Sequence, residues 1–365
     1  MNKIIGTDLN FQHEIIKNEL NEAINLVIQD KQFILGKSVT EFEEDFANYL
    51  GVNYCVGVGN GSDAIELILK ALDIGQGDEV ILPSLTYVAT ASAVLNVGGI
   101  PKLVDVDDSA TLGIENLEMA LTSKTKAIIA VSLYGNPANL ESLIKFCDNQ
   151  SIFLIEDAAQ AHGASINNRK VGSFGIASSF SFYPGKNLGA YGDAGAVATN
   201  SKEIFNKIKR LRNHGRLSKY DHELIGRNSR LDSIQAAVLS VKLPYLDSWN
   251  YQRKLNARKI TIDLQKLESI KILNNEKFGT SVFHQFILIS RRKKELRKFL
   301  EMNGVQTGQH YPYILNELNG LKSDEIFINS KEISEYGLSL PVGEHLSHND
   351  LDYISTKIID FEKFK

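Results

Sequence analysis

Ser-Ser-Phe-Ser-Phe-Tyr-Pro-Gly-Lys-Asn-Leu-Gly-Ala-Tyr-Gly-Asp-Ala-Gly-Ala, residues 178–196, is the stretch that decides how the whole chain is interpreted. Residues 178–182 are typical of a short strand, which Pro184 and Gly185 end. Glycines recur up to residue 195 and keep the backbone open around one lysine, Lys186. A lysine in such a turn is ordinarily solvated, but held this way it can also act as a nucleophile.

Two better-known lysine motifs do not fit this spacing. A phosphate-binding P-loop needs a glycine where Phe180 stands and Ser or Thr where Asn187 stands. The dehydrogenase pair of tyrosine and lysine lies four residues apart on one helical face, whereas Tyr183 and Lys186 are separated by a Pro-Gly pair. Lys186 therefore needs another partner.

Residues 151–163, Ser-Ile-Phe-Leu-Ile-Glu-Asp-Ala-Ala-Gln-Ala-His-Gly, supply that partner. The apolar strand delivers Glu156 and Asp157 to its carboxyl end, where open α/β sheets bind their ligands, and Gln160 follows. A carboxylate here and a flexible lysine further along are the pair that a pyridoxal 5′-phosphate site needs. Asp157 would keep the pyridine nitrogen protonated, and Lys186 would carry the cofactor as a Schiff base.

With these motifs the chain resembles the DegT/DnrJ/EryC1/StrS family of sugar aminotransferases, pyridoxal-phosphate enzymes that aminate nucleotide-linked keto sugars. The resemblance runs from Phe33-Ile-Leu-Gly to Leu338-Ser-Leu-Pro341. It implies an α/β protein of the PLP-dependent transferase fold type I. A mostly parallel seven-stranded sheet would lie between helices, with a smaller α+β C-terminal domain.

Composition limits the other possibilities. The 365 residues, 43% hydrophobic and 23% charged, can bury a large core, and a net charge of −4 with interspersed signs favours neither nucleic acid nor membrane as a partner. Two cysteines in a chain of this length predict a reducing cytoplasm. No secretory or membrane-spanning segment and no metal site is predicted.

Strands and helices alternate along the chain, as expected for a parallel sheet covered on both faces. We predict a large cofactor-binding α/β domain at residues 1–245 and a small α+β domain at 246–365, which includes a strand at 281–288. A capping box at 40–43 is expected to open a helix that stops at Gly51. Other strands are predicted at 54–58, 79–82, 102–106, 127–132 and 152–155, and helices near 14–28, 63–72, 87–96, 114–121, 140–149, 201–212 and 231–241.

The turn Gly57-Val-Gly-Asn-Gly-Ser-Asp63 is one residue short of a dinucleotide fingerprint. The helix after it still offers free amides to a phosphate, although an ordinary βα turn is an equally good interpretation of these residues alone. The family resemblance places Gly61, Ser62 and Asp63 at the cofactor phosphate. Ser181 would add a second hydroxyl.

The remaining cofactor and substrate roles also come from the resemblance. Tyr87 would stack on the pyridine ring, and Gln160 would bond the cofactor's phenolic oxygen. Tyr183, His310 and Tyr311 would contact the substrate. The family usually continues after Pro312 with a second proline and a histidine, which this chain lacks, and Ser132 stands where relatives have another histidine.

Asn228 lies in the loop Gly226-Arg-Asn-Ser-Arg230 before a helix. Taken alone, this is a basic solvent-exposed loop. The resemblance implies a homodimer with shared active sites, in which Asn228 reaches the cofactor phosphate of the partner subunit.

The resemblance also implies the reaction. L-Glutamate would donate the amino group, and Lys186 would shuttle the proton. Tyr-Pro-Gly-Lys-Asn-Leu-Gly resembles members that act at C3, whereas C4 enzymes typically read His-Pro-x-Lys. We therefore expect a dTDP-linked 3-keto-6-deoxyhexose to become a 3-amino-3,6-dideoxyhexose for glycan or O-antigen synthesis. Alternatives are a C4 or UDP-sugar aminotransferase, a PLP sugar dehydratase, a nicotinamide-dependent sugar oxidoreductase and a non-catalytic regulatory protein.

Overall fold

The computed structural model describes residues 3–218 and 220–363. Its strands are β1 Tyr54–Val58, β2 Glu79–Pro83, β3 Ile100–Val104, β4 Thr125–Val131, β5 Phe153–Asp157, β6 Ser165–Ile166, β7 Arg169–Lys170, β8 Ala177–Ser181, β9 Gly195–Thr199, β10 Ile270–Ile272, β11 Phe286–Ser290 and β12 Gly337–Leu340. Its α-helices are α1 Leu9–Asp30, α2 Lys37–Leu50, α3 Gly61–Ala71, α4 Ala89–Asn96, α5 Leu117–Ala120, α6 Leu140–Gln150, α7 Lys202–Leu211, α8 Ser233–Lys242, α9 Leu246–Leu264, α10 Lys293–Met302, α11 Ile328–Tyr336 and α12 His348–Lys363.

The main sheet has seven strands in the order β1-β9-β8-β5-β4-β2-β3. The strands from β3 to β8 pair in parallel, and β9 and β1 add two antiparallel pairings. The predicted mostly parallel seven-stranded α/β sheet is therefore confirmed. Asp157 ends the central strand β5 and lies in register with Val131 on β4 and Ser179 on β8.

Both faces of this sheet are buried. Along β4, Ile128 and Ala130 belong to one hydrophobic core, whereas Ile129 and Val131 belong to the core on the other face. Because successive side chains of a strand point to opposite faces, a doubly covered strand is apolar throughout, as residues 127–131 are.

A second sheet, β10-β11-β12, is antiparallel and packs with parts of α9, α10 and α12 in a third core. Ile4 joins this core and pairs with Val305, so the beginning of the described chain lies against its C-terminal part. The domain boundary at residue 245 stays a prediction. Among the described residues, no helix combines the length and apolarity that crossing a bilayer requires.

Two local predictions were wrong. The helix expected from the capping box at 40–43 begins at Lys37 instead, and Glu43 is buried, where it accepts the N–H of Gly57 at 2.8 Å and pairs with Arg212. The strand expected at 281–288 begins only at Phe286, because residues 282–285 bond to the backbone of residues 134–135. The helix expected near 114–121 is present but weak, as a 3-10 turn at Ile114–Asn116 that leads directly into the single turn of α5.

Candidate active site

A cavity of about 750 Å³ opens where β5 ends and α3 begins. Eleven of the residues predicted from the sequence line it, which leaves Asn228 alone outside: Gly61, Ser62, Asp63, Tyr87, Asp157, Gln160, Ser181, Tyr183, Lys186, His310 and Tyr311. These residues come from five separate parts of the chain, so the fold brings them together.

Lys186 lies in the connection between β8 and β9, which is closed by its own backbone. Phe182 donates its N–H to Ala194 and accepts that of Ala190, both at 2.8 Å, and the Lys186 N–H bonds to Tyr183 at 2.8 Å. A Cβ atom on Gly189 would collide with the carbonyl group of Pro184. The tight loop therefore requires glycine at 189 and holds Lys186 in a defined place.

Burial lowers the pKa of the Lys186 amine from 10.5 to about 8, and the nearby Asp157 carboxylate opposes that shift. Desolvation disfavours the charged ammonium, so a sizeable fraction of the amine is neutral near physiological pH. A neutral amine is the form that acts as a nucleophile or a base.

Asp157 is held by two hydrogen bonds. Its Oδ2 accepts the hydroxyl of Thr90 at 2.9 Å, and its Oδ1 accepts the N–H of Ala159 at 3.2 Å. Burial raises the pKa of the carboxyl group, whereas these two bonds and Lys186 lower it. Thr90, itself fully buried beside Thr86, was not among the predicted site residues. The carboxylate is thus a fixed acceptor at the bottom of the cavity.

The start of α3 forms a cradle of polar groups. Asn60 caps the helix by accepting the N–H of Asp63 at 2.8 Å, which leaves the first amides of the helix open. A Cβ atom on Gly61 would lie 2.7 Å from Cβ of Ser181, so only glycine lets the helix start approach the end of β8 this closely. The carboxylate of Asp63 pairs with Arg227 at 3.1 Å. Open amides and a nearby hydroxyl suit a phosphate group.

Gln160 connects the two sides of the cavity. Its Oε1 accepts the N–H of Tyr134 at 2.8 Å, and its Nε2 donates to the hydroxyl of Tyr311 at 2.9 Å. The Tyr134 hydroxyl donates in turn to the carbonyl group of His310, whose Nδ1 lies 2.8 Å from the hydroxyl of Ser339. The His310–Tyr311 segment is therefore pinned to the sheet side of the cavity.

Three predicted residues face outward in this chain. Tyr87 and Tyr183 are 55% and 60% exposed, and the Tyr87 ring lies 5.7 Å from that of Tyr311. Asn228 is exposed outside the cavity, in a loop that Arg227 ties to α3 through Asp63. The structure therefore places the two tyrosines at the rim of the cavity and Asn228 away from it.

Comparison with known proteins shows the family to which the chain belongs. The family model for the DegT/DnrJ/EryC1/StrS aminotransferase family matches residues 14–359. The chain is 40% identical to a dTDP-3-amino-3,4,6-trideoxy-alpha-D-glucose transaminase of Streptomyces venezuelae, covering 93% of this chain and 91% of the relative. It is also 40% identical to a dTDP-3-amino-3,6-dideoxy-alpha-D-galactopyranose transaminase of Aneurinibacillus thermoaerophilus, covering 93% and 94%.

Among solved structures, the crystal structure of DesV from S. venezuelae in complex with a ketimine intermediate superposes with a TM-score of 0.96. It is 36% identical and covers 99% of both chains. The chain therefore belongs to the DegT/DnrJ/EryC1/StrS aminotransferase family, whose aminotransferases depend on pyridoxal 5′-phosphate.

Proposed function

We propose that this protein transfers the amino group of L-glutamate to C3 of a dTDP-linked 3-keto-6-deoxyhexose, in the cytoplasm. The product would be a dTDP-3-amino-3,6-dideoxyhexose for glycan or O-antigen synthesis. The observation that carries the proposal is that Lys186 and a buried Asp157 line the same cavity. The run from Tyr183 to Gly189 and the 3-amino products named for the two relatives support C3.

The residues in the cavity fit pyridoxal 5′-phosphate. Its phosphate would bind at the open amides of α3 beside Ser62 and Ser181, and its ring nitrogen would face Asp157. When bound, the cofactor supplies an electron sink that stabilises a carbanion at the substrate carbon.

The side chains of the protein supply the proton transfer. Lys186 Nζ removes the proton from the α-carbon of the amino donor, which it can do because burial keeps part of the amine neutral. Gln160 retains one N–H beyond the one donated to Tyr311, and it can direct that group at a ligand oxygen. The carboxyl group of Asp157 is held in a fixed place by Thr90 and the N–H of Ala159.

The charge of the cavity supports a site shared between two subunits. Among the lining residues that the structure describes, Lys186 is the single Lys or Arg, whereas three are acidic, Asp63, Asp157 and Asp193. Burial lowers the pKa of both lining histidines, His284 and His310, which therefore add no positive charge at neutral pH. The phosphate, the nucleotide diphosphate and glutamate are all anionic, so further cationic and polar donors must come from outside this cavity.

We place these donors on a second copy, with the loop around Asn228 reaching the partner's cofactor phosphate. Ile225 directly precedes this loop and is 94% exposed, and Leu217, earlier in the same connection between α7 and α8, is 53% exposed, as expected of side chains that pack in an assembly. Lys186→Ala and Asn228→Asp should each give a weak or inactive homodimer. In a reassembled mixture, half of the dimers are mixed and each has one intact site, so activity should recover to about a quarter of wild type. No recovery after proven subunit exchange would contradict a shared site.

A panel of nucleotide sugars tests the reaction itself. The purified enzyme should be yellow and be bleached by borohydride, unlike Lys186→Ala. It is then incubated with glutamate and 3-keto or 4-keto sugars linked to dTDP or UDP, and NMR locates the new amine. Amination only at C4, or only of UDP sugars, would refute the substrate proposed.

A further inference from the structure

A chain of hydrogen bonds runs behind the loop that carries Lys186 and ends at a histidine of the cavity. Asn250 Nδ2 donates to the carbonyl group of His162 at 2.7 Å. Asn187 Nδ2 donates to Oδ1 of Asn250 at 2.8 Å and to the carbonyl group of Val282 at 2.9 Å. Finally, Asn187 Oδ1 lies 3.1 Å from Nδ1 of His284. His284 is half-buried and lines the cavity.

The two backbone carbonyl groups determine the tautomer of His284. A carbonyl oxygen only accepts, so the amide nitrogens of Asn250 and Asn187 must point at them, and Asn187 Oδ1 is left as an acceptor. His284 Nδ1 must therefore carry the hydrogen. Burial, followed by the positive charge of Lys186, holds the pKa of His284 well below its usual value, so the ring is neutral. Its Nε2 is then an acceptor without a hydrogen, and it has no bonding partner among the described residues.

We propose that His284 is a specificity-determining residue whose Nε2 accepts a hydrogen bond from a hydroxyl group of the keto sugar. The inference rests on the proposed function. Of the two substrates, glutamate has donors only on its reacting amino group, because its carboxylates only accept, whereas the sugar also offers hydroxyl donors away from the reacting carbon. A site built to bond a substrate hydroxyl rejects an analogue that lacks it, because the acceptor is left unpaired.

Two substitutions separate this role from a structural one. The amide of His284→Asn reaches the position of Nδ1, so it keeps the bond to Asn187 but removes the acceptor in the cavity. The amide of His284→Gln reaches the position of Nε2, so it keeps an acceptor but loses the bond to Asn187. The two half-reactions are followed separately by the absorbance of the bound cofactor, with glutamate alone and then with the sugar.

We expect the glutamate half-reaction to stay within about twofold of wild type in both variants. The sugar half-reaction should fall about tenfold or more in His284→Asn and recover in part in His284→Gln. Deoxy sugars that lack one hydroxyl each then identify the donor: wild type should disfavour one of them, and His284→Asn should not distinguish it from the full substrate.

The opposite pattern, with a normal His284→Asn and an impaired His284→Gln, would mean that His284 only anchors Asn187, and would overturn the inference. Equal losses in both half-reactions would also overturn it, because they would place His284 at the lysine. A wild-type enzyme that reacts with glutamate but aminates no keto sugar would refute the proposed function, and this inference with it.

Discussion

The lowered pKa of Lys186 can be measured directly in the cofactor-free protein. At pH 7 an amine with a pKa of about 8 is roughly one-tenth neutral, whereas at 10.5 the neutral fraction is about 0.03%. The neutral fraction of Lys186 is thus about 300 times that of an ordinary lysine, so Lys186 should react faster with an acylating reagent at equal access, by at most about 300-fold because a less basic amine is also less nucleophilic. Brief labelling with acetic anhydride over a range of pH, followed by digestion and mass spectrometry, gives the midpoint.

The variant Asp157→Asn tests in which direction the Asp157 carboxylate shifts the pKa of Lys186. The Asp157 carboxylate raises the pKa of Lys186, so its removal should move the labelling midpoint below that of wild type. Lys242 is a reference that matches Lys186 in pKa but not in access. Burial also lowers the pKa of Lys242 to about 8, but its side chain is only 1% exposed and lies outside the cavity. It should label slowly at every pH. A wild-type midpoint near 10.5, or an upward movement in Asp157→Asn, would refute this account of the site.

Two further variants test the groups that surround the cofactor. Thr90→Val removes a hydrogen bond to a buried carboxylate, a loss of about 1.5–3 kcal/mol, so cofactor affinity should fall about tenfold or more. Because the pKa of Asp157 rises when the bond is lost, the defect should grow as pH falls, whereas Thr86→Val should leave titrations of cofactor binding nearly unchanged. Gly61→Ala forces the new Cβ atom against Ser181, so the free energy of unfolding measured in urea should fall by about 1–3 kcal/mol. Gly185→Ala, whose Cβ meets only ordinary contacts at 3.7 Å, should change stability by less than about 0.5 kcal/mol.

The fold could be predicted because its signals are local. Tyr54–Val58 was predicted with the bounds that the structure has, since an apolar run there ends at a glycine turn. Asp157 could be placed at the site because ligands of such sheets bind at the carboxyl ends of the strands. The capping box failed for the opposite reason: Glu43 is held by Arg212, which is 169 residues away and gives no signal near residue 40.

The same limit explains which site residues were missed. Thr90 follows Tyr87 closely, but nothing in the sequence says that its hydroxyl faces Asp157, 67 residues later. His284 lies in a segment predicted as a strand, and a histidine in a strand gives no sign of a role in a site. Its place beside Asn187 depends on residues 282–285 leaving the strand and bonding to another turn. Both contacts are tertiary, and a single sequence does not encode them locally.

The buried pair of Glu43 and Arg212 also bears on solubility. β1 is an outer strand of the main sheet. On the side that faces away from β9, Gly57 donates its N–H to Glu43, and its carbonyl oxygen accepts an N–H of Arg212. Unpaired groups on an outer strand are a template for strand addition by another chain, which charged side chains prevent. Both charges are needed here, because one satisfies the donor and the other the acceptor. Substitution of Glu43 or Arg212 should therefore cause the protein to aggregate during expression, before any loss of turnover can be measured.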